Sequence, residues 1–325
     1  MGYACSYVSI AGLKASDKRC YPIQMTLDIM MPYYGSFDHF RSAVNSVINQ
    51  SDPDWRLVII DDVYPDPAPG AWARKITDTR VTYLRNEANL RPSRNYNKAI
   101  GLASSEFVVI MGCDDVLLAG YVARIHELIE QFPQATVIQP GVTVIDENGR
   151  SFLPLTDRVK NLYRLSGRGA RTASGERLAI SLLNGNWTYF PSLAWRTSSL
   201  KPVGFRTDLD VVQDLAKLLE LTWAGATLVV DDQKVFAYRR HSRSLSAETG
   251  VDGTKFVQEN TLFSEAAADA RSRGWRRAAR SAQLHLSSRL NAATELPTAL
   301  RSHESSRRRL LVHHIFGGRS PTKGL

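Results

Sequence analysis

Between Met25 and residue 132, short apolar runs alternate with amphipathic stretches, and this alternation leaves few architectures open. LDIMM (27–31), RLVII (56–60), RVTYL (80–84) and EFVVIM (106–111) are too short for helices and apolar enough to be buried as strands. Between them, residues 39–50, 92–104 and 119–132 carry helical periodicity. The second of these opens at Pro92, whose missing N–H costs nothing in a first turn. Short strands joined by longer helices require right-handed crossovers, and therefore a largely parallel sheet with helices on both faces.

Beyond residue 133 the alternation loosens. Residues 135–146 read as paired strands and 150–175 as a polar, mobile stretch. A helix over 176–184, a strand near 192–196, a helix over 211–224 and strands at 227–230 and 234–238 follow. From 253 onward the Ala-, Arg- and Leu-rich sequence reads as two or three helices. The expected organisation is an N-terminal extension (1–24), two coupled halves (25–132 and 133–250) and a basic helical C-terminal extension (251–325).

Composition narrows the partners. The 325 residues are 43% hydrophobic and 22% charged, enough for a core without disulfides, and the three cysteines lack zinc-like pairing. Such cysteines suggest a reducing, cytoplasmic setting, and no apolar run is long enough to span a bilayer. Most of the net charge of +9 belongs to residues 255–325, so the folded halves do not present the basic stripe of a nucleic-acid binder. Arg271, Arg273, Arg276, Arg277 and Arg280, then Arg307–Arg309 before Leu310 and Leu311, suit either a helical packing element, a dimer contact or a helix lying on an anionic membrane.

In open parallel sheets, ligands bind at the carboxyl ends of the strands. Here those ends carry Pro32-Tyr33-Tyr34, Asp61-Asp62 and Cys113-Asp114-Asp115. Either acidic pair alone could cap a helix or punctuate a turn. Two pairs at neighbouring strand ends would repel each other unless a cation or hydrogen-bond donors lay between them. Hard carboxylate oxygens suit Mg2+ or Mn2+ bridging a diphosphate.

These residues, with Asn89, Arg94-Asn95, Ala99 and Ala103, resemble the nucleotide-binding half of family-2 glycosyltransferases. The likeness continues through SLAWR (192–196), VGF (203–205), Gln213-Asp214 and the segment from Tyr238 to Ser242, covering about residues 25–246. It implies a GT-A type, Rossmann-like α/β fold with a mostly parallel central sheet, followed here by a C-terminal helical extension. It further implies an inverting transfer from a nucleotide-sugar, UDP being the commonest carrier, to a glycan or lipid-linked acceptor. The setting would be cell-envelope polysaccharide synthesis, at the inner face of the membrane.

Residue by residue, the resemblance assigns Pro32, Tyr34 and Asp61 or Asp62 to the donor base side, and Arg94 to the nucleoside or diphosphate. Asp114 would touch ribose or sugar, Asp115 would ligate Mn2+ or Mg2+, and Arg239 or Arg240 would neutralise the leaving diphosphate. His241 is either a second metal ligand or a surface histidine. Asp214, at the start of an apolar-periodic helix, is the expected general base, and Gln213 beside it is expected to bind the acceptor. Trp187 is either an acceptor-stacking face or a core residue. The chain departs from the family pattern at Gly112, where an acid is common, and at Tyr34-Gly35 in place of Tyr-Asn. A non-catalytic nucleotide-sugar-binding scaffold is the alternative, and Gly112 is its best support.

Overall fold

The computed structural model describes residues 26–240, 254–301 and 305–317. The amino-terminal part runs β1 (Leu27–Tyr33), α1 (Phe37–Ile48), β2 (Trp55–Asp61), α2 (Ala68–Ala73), β3 (Val81–Arg85), α3 (Arg91–Leu102) and β4 (Phe107–Ile110). A two-residue β5 (Val116–Leu117), α4 (Tyr121–Gln131), β6 (Val137–Ile145), α5 (Leu155–Tyr163), β7 (Arg171–Ala173) and α6 (Gly175–Gly185) follow. Then come β8 (Ala194–Arg196), α7 (Thr197–Leu200), α8 (Gln213–Trp223) and β9 (Leu228–Arg239). The carboxyl-terminal helices are α9 (Thr254–Ser272), α10 (Arg276–Leu284), α11 (Leu286–Arg301) and α12 (Ser305–Phe316).

The strands form one nine-stranded sheet in the order β3-β2-β1-β4-β8-β6-β9-β5, with β7 also on β9. β1 is parallel to β2 and β4, β2 to β3, and β6 to β9, while β8, β5 and β7 pair antiparallel. The sheet is therefore mixed but mostly parallel along its longer strands. Successive residues of a strand face opposite sides. Met30, Val58, Ile60, Val108 and Ile110 accordingly face the core layer shared with α3, α6, α8, α9 and α10. Ile29, Met31, Leu57, Ile59 and Val109 face the layer of α1 and α4. Inside β1 lies a buried carboxylate, Asp28. It is gripped by Arg56 at 2.8 and 2.9 Å and by the main-chain N–H groups of Ser104 and Ser105.

The structure revises the carboxyl-terminal half of the sequence reading. Residues 137–145 form one strand rather than a pair. Its irregularity falls at Gly141, where a side chain would meet the Asp232 and Gln233 carbonyls within 2.6 Å. The break is thus a bulge that only glycine permits, and it does not turn the chain. Asp231-Asp232-Gln233 looks like a turn but lies within the continuous β9. Arg124 holds Asp231 at 2.9 Å through two nitrogens, and Asp232 pairs with Arg164 and Arg171, so the segment stays extended. The polar stretch 150–175 contains α5 and β7, and the tail has four described helices rather than two or three. No described helix is long and apolar enough to cross a membrane.

Candidate active site

The site lies at the carboxyl ends of β1, β2 and β4. At β2, Asp61 is buried and densely bonded. Oδ2 accepts from the Tyr83 hydroxyl at 2.5 Å and from Arg85 at 2.6 Å, and Oδ1 accepts from the Tyr64 N–H at 2.8 Å. Asp62, also buried, accepts from Asn86 Nδ2 at 2.7 Å and from the Leu90 N–H at 2.8 Å. Asp62 thereby ties the β3–α3 loop to the sheet just where α3 begins. Lys98 extends this network by donating to Asn86 Oδ1 at 2.7 Å. Pro32 is half-buried at the end of β1, and Tyr34 projects beyond it with its ring edge-on to Tyr64. Arg94 is exposed on the first turns of α3.

Beyond β4 the chain turns through Gly112 to Asp115 and re-enters the sheet as β5. Asp115 is 1% exposed; its Oδ1 accepts the Arg239 main-chain N–H at 2.8 Å. Oδ2 is buried and has no hydrogen-bond partner among the described residues. Burial and the neighbouring charge of Asp114 push the Asp115 carboxyl well above the usual range, against the pull of Arg239. Gly112 supplies the space around this oxygen: a Cβ there would lie 2.5 Å from Asp115 Oδ2 and 2.9 Å from Asp114 Oδ1. Two carboxylates thus turn towards one glycine, and an orphaned carboxylate oxygen is a fit for a hard cation. No group of three or more His, Cys, Asp or Glu suited to a metal occurs among the described residues. A site of this kind needs only one or two carboxylates when phosphates complete the shell. His241 lies outside the described residues.

Arg239 serves this turn rather than projecting a free guanidinium. Its Nε donates to the Asp114 carbonyl at 2.7 Å, and Nη1 donates to the Asp146 and Glu147 carbonyls at 3.0 and 3.1 Å. Arg240 pairs instead with buried Asp157 on α5, Nε to Oδ2 at 2.8 Å and Nη2 to Oδ1 at 3.1 Å. Tyr189 donates its hydroxyl to the same Asp157 Oδ1 at 2.7 Å, and its ring tilts against Tyr238 at 5.3 Å. Lys160, one turn beyond Asp157, donates to the Thr188 carbonyl at 3.2 Å and sits over the Tyr189 ring. Burial, with the Arg240 charge adding, brings the Lys160 ammonium down to about 8. Asp157 and Lys160 escaped the sequence reading because the nine-residue α5 lies within a polar stretch read as a single loop, and Tyr189 because it lies in the short connection between α6 and β8.

Asp214 occupies the first turn of α8, with Leu215, Leu218 and Leu219 buried behind it. Burial raises its carboxyl above the ordinary range, while the Leu215 N–H, the Lys160 charge and the Asn186 side chain oppose that rise. Burial likewise pushes the Tyr96 phenol up, and the charges of Cys113, Asp114 and Asp214 add to it. Burial also pushes the Cys113 thiol up to about 12, which leaves it protonated and inert at neutral pH. Gln213 is buried at the α3–α8 contact, where its Oε1 accepts from the Ser93 hydroxyl at 2.6 Å.

One expectation is corrected outright. Trp187 is only 2% exposed, and its Nε1–H donates to Ser181 Oγ at 2.9 Å. A face so enclosed cannot stack on a sugar; α6 packs it into the core.

Residues 28–181 match the family model described as Glycosyl transferase family 2. Among curated proteins, the chain is similar to an uncharacterized glycosyltransferase of Methanocaldococcus jannaschii, 24% identical over 141 residues. That match covers 42% of this chain and 49% of the relative, so the chain spans about half the relative's length. The solved structure of S. aureus TarS 1–349 in complex with UDP-GlcNAc superposes with a TM-score of 0.66 at 16% identity. It covers 90% of this chain and 82% of that one. Mannosyltransferase PcManGT from Pyrobaculum calidifontis, solved with GDP-Man and Mn2+, gives 0.54 at 14% identity, over 89% of this chain and 85% of that one. At these identities the likeness is one of fold, and the fold is GT-A-like.

Proposed function

We propose that this chain, whose residues 28–181 form a glycosyl transferase family 2 domain, moves a sugar from a nucleoside-diphosphate sugar to a hydroxyl of a glycan or lipid-linked acceptor, inverting the anomeric centre. The observation that carries this reading is the buried, unpartnered Oδ2 of Asp115 beside Gly112. A lone buried carboxylate oxygen is costly to the fold, and a donor site gives it a purpose.

A divalent cation, Mn2+ or Mg2+, held by Asp115 with Asp114 beside it, would supply positive charge against the leaving diphosphate. The chain's own residues set the rest. Arg239 fixes the Asp114–Asp115 turn through three main-chain carbonyls. Asp61 and Asp62 hold the β2 end and the α3 entrance rigid, and Tyr34, just past β1, and Arg94, on α3, would line the nucleoside. Asp157 and Tyr189 orient Arg240 for charge that develops on the diphosphate. Asp214 accepts the proton of the attacking hydroxyl; its raised carboxyl makes it a stronger base than a solvated aspartate once ionised. The backbone of α8 keeps it in place.

A UDP-sugar heads the candidate donors, since the TarS structure carries UDP-GlcNAc, and GDP-Man in the PcManGT structure keeps GDP in the set. Calorimetric titration with UDP, GDP and dTDP, with and without Mn2+, tests the reading. Binding of one nucleotide that strengthens with Mn2+ supports it. Equal, weak heat from all three in both conditions overturns it.

A further inference from the structure

A groove of about 650 Å³ lies far along the chain from the acidic turn, between α6 and the α10–α11 pair. One wall is α6, with Arg177, Ile180 and Asn184 at spacings of three and four and so on one helix face. The other is α10, whose buried face (Ala278, Ala279 and Ala282) packs onto the core while Arg277 and Arg280 line the groove. Leu284 and Leu286, 42% and 57% exposed, close its far end, and Leu290 stands exposed one turn further along α11.

The charges here are not balanced within the chain. Arg177, Arg277 and Arg280 are exposed and make no ion pair among the described residues, and Arg276 is exposed beside them. The one acid in the groove, Glu176, is engaged: its Oε1 accepts the Arg277 and Ala278 N–H groups at 2.9 and 3.1 Å, capping α10. That cap ties the wall of the groove to the transferase domain, so the arginines sit on a built junction rather than on a loose tail. Cations thus gather at one end and uncovered leucines at the other.

We propose that this groove and its leucine rim dock the protein on an anionic phospholipid surface. Arg177, Arg277 and Arg280 would take lipid phosphates, a task for which the planar guanidinium is well suited. Leu284, Leu286 and Leu290 would enter the interface beside them. The proposal goes beyond the transfer reading and is independent of the nucleotide site, which the groove does not include.

Vesicle flotation of the full chain tests it, using phosphatidylcholine vesicles with and without phosphatidylglycerol. The wild type should float only with the anionic vesicles. Each arginine near an anionic surface contributes enough that reversing three of them in R177E/R277E/R280E should weaken binding by at least about a hundredfold. L284S/L286S should weaken it at unchanged charge. A charge-matched control, R41E/K75E/K234E, should float nearly as the wild type does. Mn2+-dependent nucleotide binding, measured on every variant, confirms folding and separates this proposal from the transfer reading. Equal loss in the control and groove variants would overturn the proposal, as would a wild type that ignores anionic vesicles and instead binds RNA or self-associates.

Discussion

The Arg239 main-chain N–H donates to Oδ1 of Asp115 at 2.8 Å, leaving Oδ2 of the same carboxylate buried and without a partner among the described residues. One oxygen anchors the residue to β9 and the other is offered to the site. This asymmetry gives Asp115 a fixed orientation and a cost that a bound cation would relieve.

Asp115→Asn should stabilise the nucleotide-free, metal-free protein at neutral pH. The folded carboxyl is raised by burial and by Asp114, so its protonated form is favoured in the fold. The stability linked to that proton is fully present below the unfolded value of 3.8 and is lost as pH rises through the folded one. Asparagine imitates the protonated acid and removes that loss. Thermal melts in chelator should show the variant's advantage at neutral pH and its disappearance near pH 4; a variant less stable than wild type at neutral pH contradicts this.

Gly112→Ala should disable the acidic turn while leaving the fold intact. Its Cβ would lie 2.5 Å from Asp115 Oδ2 and 2.9 Å from Asp114 Oδ1, so one or both carboxylates must turn away. Mn2+-dependent nucleotide binding should fall below detection in titration calorimetry with little change in melting temperature. Normal binding would show that the two carboxylates do not act together.

The likeness to family-2 transferases reads Gly112 as a lost acid, whereas in the structure the missing side chain is what makes room for two others. The strand-end acids themselves were legible, because a strand's carboxyl end and an Asp-Asp pair are both local features. The role of Arg239 was not, since the Asp146 and Glu147 carbonyls it reaches lie more than ninety positions away in the chain. Nor were Asp157 and Lys160, whose helix is only nine residues long and sits inside a polar stretch that reads as a loop. Trp187 failed for another reason: Asn184-Gly185-Asn186 looks like a cleft edge, but the ring folds back onto Ser181 of the preceding helix α6.

Arg239→Lys should weaken the site through positioning. A single ammonium cannot serve the Asp114, Asp146 and Glu147 carbonyls together, so some lose their partner, a cost of about 1 to 3 kcal/mol. Denaturant unfolding should report that loss, and Mn2+ affinity should fall with it. An unchanged midpoint with normal Mn2+ affinity would remove Arg239 from the support of the turn.

Trp187→Phe should lower stability by about 1 to 2 kcal/mol, from the lost Ser181 bond and lost volume. Once an acceptor is in hand, its KM should not move. A rise in acceptor KM with unchanged stability would restore Trp187 to the acceptor site.

The acid limb of activity should report Asp214. Its raised carboxyl must lose a proton before it can act as a base, so the rate should fall as pH drops through a value above the ordinary aspartate 3.8. Lys160→Met removes a charge that favours the ionised form and should move that limb to higher pH. A limb unmoved by the substitution would separate Lys160 from the base.

The proposed mechanism divides the labour between two carboxylates, Asp115 serving the donor and Asp214 the acceptor proton. Donor-nucleotide titration in Mn2+ on Asp115→Asn and Asp214→Asn, side by side, tests it most directly. Asp214→Asn should bind as the wild type does while Asp115→Asn loses the Mn2+-dependent part of its affinity. Wild-type affinity in Asp115→Asn, or equal loss in both variants, would contradict it.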